Sequence, residues 1–580
     1  MKKAIKAFIA GFLSCLLLSA TIVWADTSGV MREVFYGVNV VVNGRTQSFD
    51  DDMRPFISNG RVFLPARAVA EVLNIPVDWD SDTATVYIGQ KPQPRVNQNH
   101  LTVAATNTPW TLDPAGANDT NLALLSRQVF DTLVELDPDA MDVLPALAAS
   151  WNMPNAQTVT MALRPDIYFH NGFPLTAYDV QFSLERAADS IHAAFVLGMI
   201  DHVTVHDYHN LTIHLTEPFA PILRHLAHPM ASIVSLADFE AHGWFSWDDD
   251  SQHILPIGTG PFIFADMRWH DSIDLVRNDN YWGTLPQIET LTFIAVPDPA
   301  VRLIMVEVGE ADIALAISPA DVAHIQASPD ITVMRQPNLT IDYIGFNMTK
   351  APWDNPLVIQ AINYAIDIQD IIDIVFDGVG TPAAGPLSSR AWGFAQPPAF
   401  ATNIERAKAL LAEAGYPDGF DRPVELWVNE GNPHRLMVAE IVQFALAPLG
   451  IEVHIVVMEW GLYLEATTYA EHDMFILGWA ASTGDADFAL FSLFHSSSWG
   501  SNRTQHNDPA LDILLERGRT EINPARRAEI YAQALQLLRD NPSMVPFRQG
   551  EHLVVVSNDL HGFVLDPTGI HRFSGVFFED

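Results

Sequence analysis

In the run IERAKALLAEAGYPDGF (Ile404–Phe420), apolar residues return at helical spacing until Gly415, which ends the helix and lets the chain turn. Pro524–Arg539, rich in Ala, Leu, Arg and Glu, reads the same way. From Leu101 to the end, short strand-like runs alternate with such amphipathic helices. That alternation predicts α/β architecture with mainly parallel or mixed sheets. No internal repeat, low-complexity run or long linker interrupts residues 101–580, so this part is expected to fold as one body.

The whole chain has 580 residues, with 70 acidic against 32 basic side chains and a formal net charge of -38. At roughly 150 residues per domain, three or four structural units fit this length. An apolar fraction of 48% supplies ample core material. So acidic a surface repels phosphate backbones and anionic lipid, which argues against nucleic-acid binding and charge-driven membrane docking. Cys15 is the single cysteine, so neither an intrachain disulfide framework nor a thiolate cluster can form.

The N-terminus reads as an export signal. Lys2, Lys3 and Lys6 form a basic start, Ala7–Ala20 an apolar run, and Val23-Trp24-Ala25 a cleavage site ahead of Asp26. Losing those three lysines takes the charge from -38 to -41. Retention as an N-terminal anchor is a second outcome, and lipidation at Cys15, within Leu13-Ser14-Cys15, a third. All three place the protein outside the cytoplasmic membrane, whether secreted, periplasmic or attached to its outer face.

Residues 34–89 read as a small separate α+β unit. Strands are predicted at Val34–Val42, Arg61–Leu64, Val77–Asp80 and Thr85–Ile88, a hairpin turn at Asn43-Gly44, and a helix after Pro65. The string VNGRTQSFDDDMRPFISNGRVFLPARAVAEVLNIPVDWDSDTATVYI resembles the copper amine oxidase N-terminal-like domain, a stalk module of secreted proteins. No His or Cys lies between Val34 and Ile88, so the segment is read as a spacer or wall-facing adhesion module without copper. Residues 90–99 form a linker with two prolines.

Enzyme constellations are missing. The chain has no Gly-Lys-Ser/Thr phosphate loop, no His-Glu-x-x-His and no G-x-S-x-G. His206 and His209 flank Asp207 in what reads as a solvated turn before a strand, and Asp485 with Asp487 has no hydrolytic partners in the sequence around it. No cofactor is expected.

Five strings occur in order: FHNGFPLTAYDVQFSLER (Phe169–Arg186), GTGPF (Gly258–Phe262), RNDNYWG (Arg277–Gly283), INYAID (Ile362–Asp367) and AKALLAEAGYPDGF (Ala407–Phe420). Together they resemble the family 5 extracellular solute-binding proteins of ABC transporters, over nearly all of residues 100–580. The resemblance implies a two-lobed periplasmic-binding-protein-like α/β fold of the type II, large form. Lobe I would take about 100–336 and 545–580, lobe II about 337–544, with ligand enclosed between them on closure. At Ile359 the family usually has an arginine, and the departure implies the loss of a surface or hinge ion pair.

The resemblance also carries site residues. LGWAASTGDADFALFSLFHSSSWGSN (Leu477–Asn502) looks most like the dipeptide, haem and glutathione-binding branch. By resemblance, Asp485 pairs with a ligand's α-ammonium, or else caps the loop beside Gly484. Trp460 and Trp479 would wall the pocket, or belong to ordinary core. Asn118 and Asp119 would face the cleft from lobe I, or simply make turn chemistry. Asn429 stands where dipeptide binders hold the ligand carboxylate with an arginine. Either Arg435 or Arg390 is expected to take over, or the ligand is not a simple free dipeptide. The implied function is capture of a small peptide, dipeptide or glutathione-like, by a monomer that delivers it to membrane permease subunits. Nickel-chelate or haem uptake is the alternative, with His434 and His495 as the histidines in question. A surface receptor or adhesin on the same scaffold is another.

Overall fold

The computed structural model describes residues 99–242 and 256–579, together with the backbone of short strands between Thr21 and Ile88. The chain divides into two units, residues 1–96 and 97–580. In the first, Thr21–Ala25, Met31–Tyr36, Phe56–Ser58 and Arg61–Phe63 form an antiparallel four-stranded sheet in that order. Two hairpins accompany it: Val41–Val42 with Arg45–Thr46 across Asn43-Gly44, and Val77–Asp80 with Thr85–Ile88. The helix expected after Pro65, residues 1–20 of the leader and most of the linker lie outside the described residues.

The second unit is organised by one mixed sheet of eleven strands. Its middle is a pair of long antiparallel strands, Ile331–Phe346 and Met544–Ser557. One end of that pair carries His100–Ala105, Thr290–Ala295 and Ile313–Leu315. The other end carries Met474–Ala480, Val424–Asn429 and Val453–Met458. Their register shifts between Pro337 and Ile341. Proline has no N–H to give the ladder, so the pairing is interrupted there. The Asn338 carbonyl accepts instead from Ser388 Oγ at 2.7 Å and Gln549 Nε2 at 3.1 Å.

Separate apolar cores form on either side of this crossing. Leu101, Val103, Leu291, Phe293, Ile313, Val554 and Phe573 build one, here the first lobe. Ile344, Phe346, Trp353, Ile362, Leu426, Val438 and Ile476 build the other, the second lobe. The first lobe also carries a four-stranded antiparallel sheet (Ala148–Asn155, Thr158–Leu163, Asn210–Leu215, Ile200–Val205) under the helix Ala177–Asp189. The core of that sheet is continuous with Ala486, Leu490, Phe494 and Tyr531 of the second lobe. The two lobes are therefore packed together on an apolar face.

The strings that carried the resemblance are largely scaffold. A Cβ on Gly258 would lie 2.0 Å from the Val129 carbonyl oxygen, and one on Gly260 2.5 Å from the Val129 carbonyl carbon, so only glycine lets these backbones touch. Asn278 donates to the Gly260 carbonyl at 3.0 Å. Thr259 Oγ1 and Trp282 Nε1 donate to the buried Asp131 carboxylate at 2.9 and 2.8 Å. The helix Ile404–Glu413 starts on an Asn403 cap and is followed by Gly415 at φ +97°. Pro524–Asp540 is helical as its composition suggests. Ile359 corrects one expectation. It is wholly buried on the inner face of the helix Pro356–Ala365 with Val358 and Ile362, so the position is core, not a surface or hinge ion-pair site.

Candidate functional site

The strand Met474–Ala480 delivers Trp479 and Ala480 to the boundary between the lobes. The chain then turns through Gly484, at φ +67°, into the helix Ala486–Phe494. The left-handed φ favours glycine at this turn, and a Cβ there would sit 2.3 Å from the Met141 methyl carbon of the first lobe, which would have to move aside. Asp485 caps the helix, its carboxylate accepting from the Asp487 N–H at 2.9 Å.

Asp485 is also fully buried and held bidentately by Arg527, at 2.6 and 2.8 Å. Arg224 reaches the same carboxylate from the first lobe, its Nε at 3.4 Å, and donates to the Met141 carbonyl. Both guanidinium groups lie over the Trp392 ring, 4.6 Å (Arg527) and 5.3 Å (Arg224) from its centroid. The Trp392 backbone N–H in turn donates to the Gly484 carbonyl at 2.8 Å. Burial pushes the Asp485 carboxyl up, but the Arg527 charge, its hydrogen bonds and Arg224 outweigh it and leave the group below the ordinary aspartate range. Burial brings Arg224 down to about 10, against the opposing pull of Asp485, so it stays charged at neutral pH. The carboxylate expected to meet an ammonium is thus already the counter-ion of two arginines. The loop-capping role is the one this geometry displays.

A second, more open cluster lies at the ends of neighbouring elements. Asn429 closes the strand Val424–Asn429, and Arg435 sits in the first turn of the helix Pro433–Leu446, whose cap is Asn432. Arg435 Nη1 donates to Asn429 Oδ1 at 2.6 Å, and its guanidinium lies 5.8 Å from the Trp460 ring centroid. Trp460 is 44% exposed and stacks on Tyr463. The structure therefore brings Asn429, Arg435 and Trp460 together and puts a guanidinium beside the asparagine. Arg390 is elsewhere. Its Nη2 donates to the Pro138 and Asp139 carbonyls, at 2.7 and 2.8 Å, joining the second lobe to the first.

The other expected residues are placed as follows. Trp479 packs on Phe488, which meets Phe195 and His225 of the first lobe, and its Nε1 is buried without a partner. Asp119 caps the helix Thr120–Val129 by accepting from the Leu122 N–H at 2.8 Å, and Asn118 is exposed beside it. His434 packs on Phe376 at the surface. His495 is buried under the helix Pro509–Thr520, stacked on Phe491 and near Asp512 and Glu516. His206 bonds Thr212 and His209 lies in the turn before the Asn210–Leu215 strand. Among the described residues no group of three or more His, Cys, Asp or Glu is arranged to hold a metal ion. A cavity of about 220 Å³ in the second lobe, lined by Pro382, Phe400, Phe494, Arg539 and Ser543, touches none of the expected residues.

Arg527, Arg224 and Trp392 were not expected from the sequence. Arg527 had a visible trace: it shares a helix face with Ile530, Tyr531 and Ala534, all buried, so a charge falls on an apolar stripe. Arg224, on the one-turn helix Ile222–His225, carries no such trace.

Comparison with known proteins agrees with this architecture. Residues 142–501 match the bacterial extracellular solute-binding proteins, family 5 Middle, and residues 41–122 the copper amine oxidase N-terminal domain. The chain belongs to the family 5 solute-binding proteins. It is 31% identical over 478 residues to the heme-binding protein A of Haemophilus influenzae, covering 78% of this chain and 87% of that one. It is also 31% identical over 482 residues to the dipeptide-binding protein of Escherichia coli K12, covering 78% and 90%. A glutathione-binding protein of Escherichia coli O1:K1 / APEC is 30% identical over 494 residues, covering 83% and 94%. The structure of HbpA2 from Haemophilus parasuis superposes with a TM-score of 0.77 at 31% identity, covering 83% of this chain and all of that one. As a family 5 protein the chain is the solute-binding component of an ABC transporter and not an enzyme. The family acts outside the cytoplasm, and no described helix is long and apolar enough to cross a membrane.

Proposed function

We propose that this family 5 protein captures small peptides, dipeptide or glutathione-like, between its lobes and delivers them to a membrane permease. The observation that carries the reading is the Asn429–Arg435–Trp460 cluster. A guanidinium matches a carboxylate bidentately, and an aromatic wall covers an apolar side chain without selecting one. Relatives at 30–31% identity include dipeptide- and glutathione-binding proteins, which supports the same class of ligand. The haem reading has less support: His495 is buried against Phe491, and His434 stands apart on Phe376. The N-terminal unit is proposed to be a spacer that holds the binding body away from its attachment point.

Titration calorimetry of the folded protein against dipeptides, tripeptides, glutathione, nickel chelates and haem tests the reading. Saturable binding of a peptide is expected. Binding of haem or a nickel chelate alone would overturn it.

A further inference from the structure

The cavity of about 220 Å³ in the second lobe has no part in the peptide reading, and its lining has a chemistry of its own. One loop walls it twice, with residues 382–386 on the way out to Arg390 and residues 397 and 399–402 on the way back. The end of the helix Pro524–Asp540 and the start of the strand Met544–Ser557 close it. Five lining residues are prolines, among them Pro386, Pro397 and Pro542. Their fixed rings cannot swing in to fill the space, so an opening persists in an interior that elsewhere packs closely.

The lining runs from an exposed rim at Gln369 and Pro382 to a buried floor of Asn363, Phe494, Ser543 and Met544. Only two lining residues are charged, Asp367 and Arg539, and both are half-buried. Arg539 donates from Nε to the Pro398 carbonyl at 2.7 Å, reaches the Tyr364 hydroxyl at 3.5 Å and lies 3.2 Å from the Phe400 ring centroid. Asp367 caps the helix Ile368–Val375, its Oδ1 accepting from the Gln369 and Asp370 N–H groups at 3.0 and 3.3 Å. Among the described residues neither has an ion-pair partner, although the two are opposite in sign. On the floor, Ser543 is fully buried and its hydroxyl has no hydrogen-bond partner.

A guanidinium and a carboxylate on one opening, both without counter-ions, complement the α-carboxylate and α-ammonium of an amino acid. The apolar walls suit a ring, and a buried hydroxyl is costly until a polar atom reaches it. An apolar cavity of about 150 Å³ accepts benzene, so this larger one has room for a phenol ring. A peptide fits poorly, because prolines offer no N–H and its amide groups would be buried unpaired.

We infer that this cavity is a second ligand site, for a free amino acid with a phenolic side chain. Its carboxylate meets Arg539, its ammonium Asp367 and its hydroxyl Ser543. The site stands independently of what the lobe boundary binds.

Calorimetry on the full chain tests it with L-tyrosine, L-phenylalanine, tyramine and 4-hydroxyphenylacetate. Tyrosine should bind at one site, and the other three, each lacking one polar group, at least tenfold more weakly. Silence from tyrosine, or any of the three binding as tightly, overturns the inference. Two variants locate the site: Arg539→Met, and Asp367→Asn, which keeps a helix cap. Each should lower tyrosine affinity at least tenfold while circular dichroism and melting stay those of the parent, and Arg435→Met should leave that affinity unchanged. Tyrosine binding lost in Arg435→Met but kept in Arg539→Met would put the amino acid at the lobe boundary, overturning this inference and leaving the peptide reading standing.

Discussion

Replacing Asp485 by asparagine keeps the shape of the side chain and removes its charge. In the folded protein that charge is shared by Arg527, through bonds of 2.6 and 2.8 Å, and by Arg224 at 3.4 Å, with the carboxylate fully buried. Asparagine retains one acceptor oxygen and the cap on Asp487, but turns an amide N–H₂ toward a guanidinium. Arg527, nearly as buried, then lacks a counter-ion. Removing one member of a buried ion pair costs about 3–5 kcal/mol, chiefly because the other charge is left unpaired. Urea unfolding followed by tryptophan fluorescence should show a loss of that size. The double variant Asp485→Asn with Arg527→Met should lose less than the sum of the two single changes, since it leaves no orphaned guanidinium. A single variant within about 1 kcal/mol of the parent, but at least tenfold weaker in peptide binding, would refute this reasoning. It would mean that the carboxylate serves the ligand and not the fold.

Other outcomes follow from the same structure. Burial, the largest influence on each, pushes the His228, His472 and His571 imidazoles down to about 3. Below the ordinary value of about 6.5 the unfolded chain takes up protons that the native protein refuses, so stability is full above that pH and falls toward pH 3. At pH 5 the loss amounts to at most about 2 kcal/mol per histidine, and a urea midpoint that is the same at pH 7.5 and pH 5 would contradict it. Arg390→Met removes the bonds to the Pro138 and Asp139 carbonyls and should shift the lobes toward a more open arrangement, read as a larger radius of gyration in solution scattering. An unchanged radius would show that the apolar face alone keeps the lobes together. Gly258→Ala, whose Cβ would meet the Val129 carbonyl oxygen at 2.0 Å, should give little folded protein; normal yield and melting would contradict that packing.

Local rules made much of the scaffold legible in the sequence. Gly415 ends its helix with a positive φ, and hairpins form at Asn43-Gly44 and at Val77–Ile88. These features depend on residues close in sequence. The site was legible in part. Asn429 drew attention as a departure, and Arg435, six residues on, lies beside it because the strand end and the next helix start are joined by a short turn. Arg527 could be suspected of burial from its apolar helix face, but the pairing of Asp485 with two arginines was not legible, since Arg527 is 42 residues away and Arg224 belongs to the other lobe. Asp485 illustrates the cost of that gap. A sequence motif names the acid, but only tertiary contact reveals which cations already hold it. Ile359 errs in the other direction: its apolar neighbours Val358 and Ile362 already marked a buried face, and the family comparison drew attention away from it.

On the proposed function, peptide is held between the lobes, against Arg435 and Trp460. A crystal structure of the protein with its tightest-binding peptide tests it most directly. The peptide is expected between the lobes, with a carboxylate within hydrogen-bond distance of Arg435 and a side chain on the Trp460 ring. Peptide in the second-lobe cavity beside Phe400 and Arg539, with the lobe boundary empty, would contradict it.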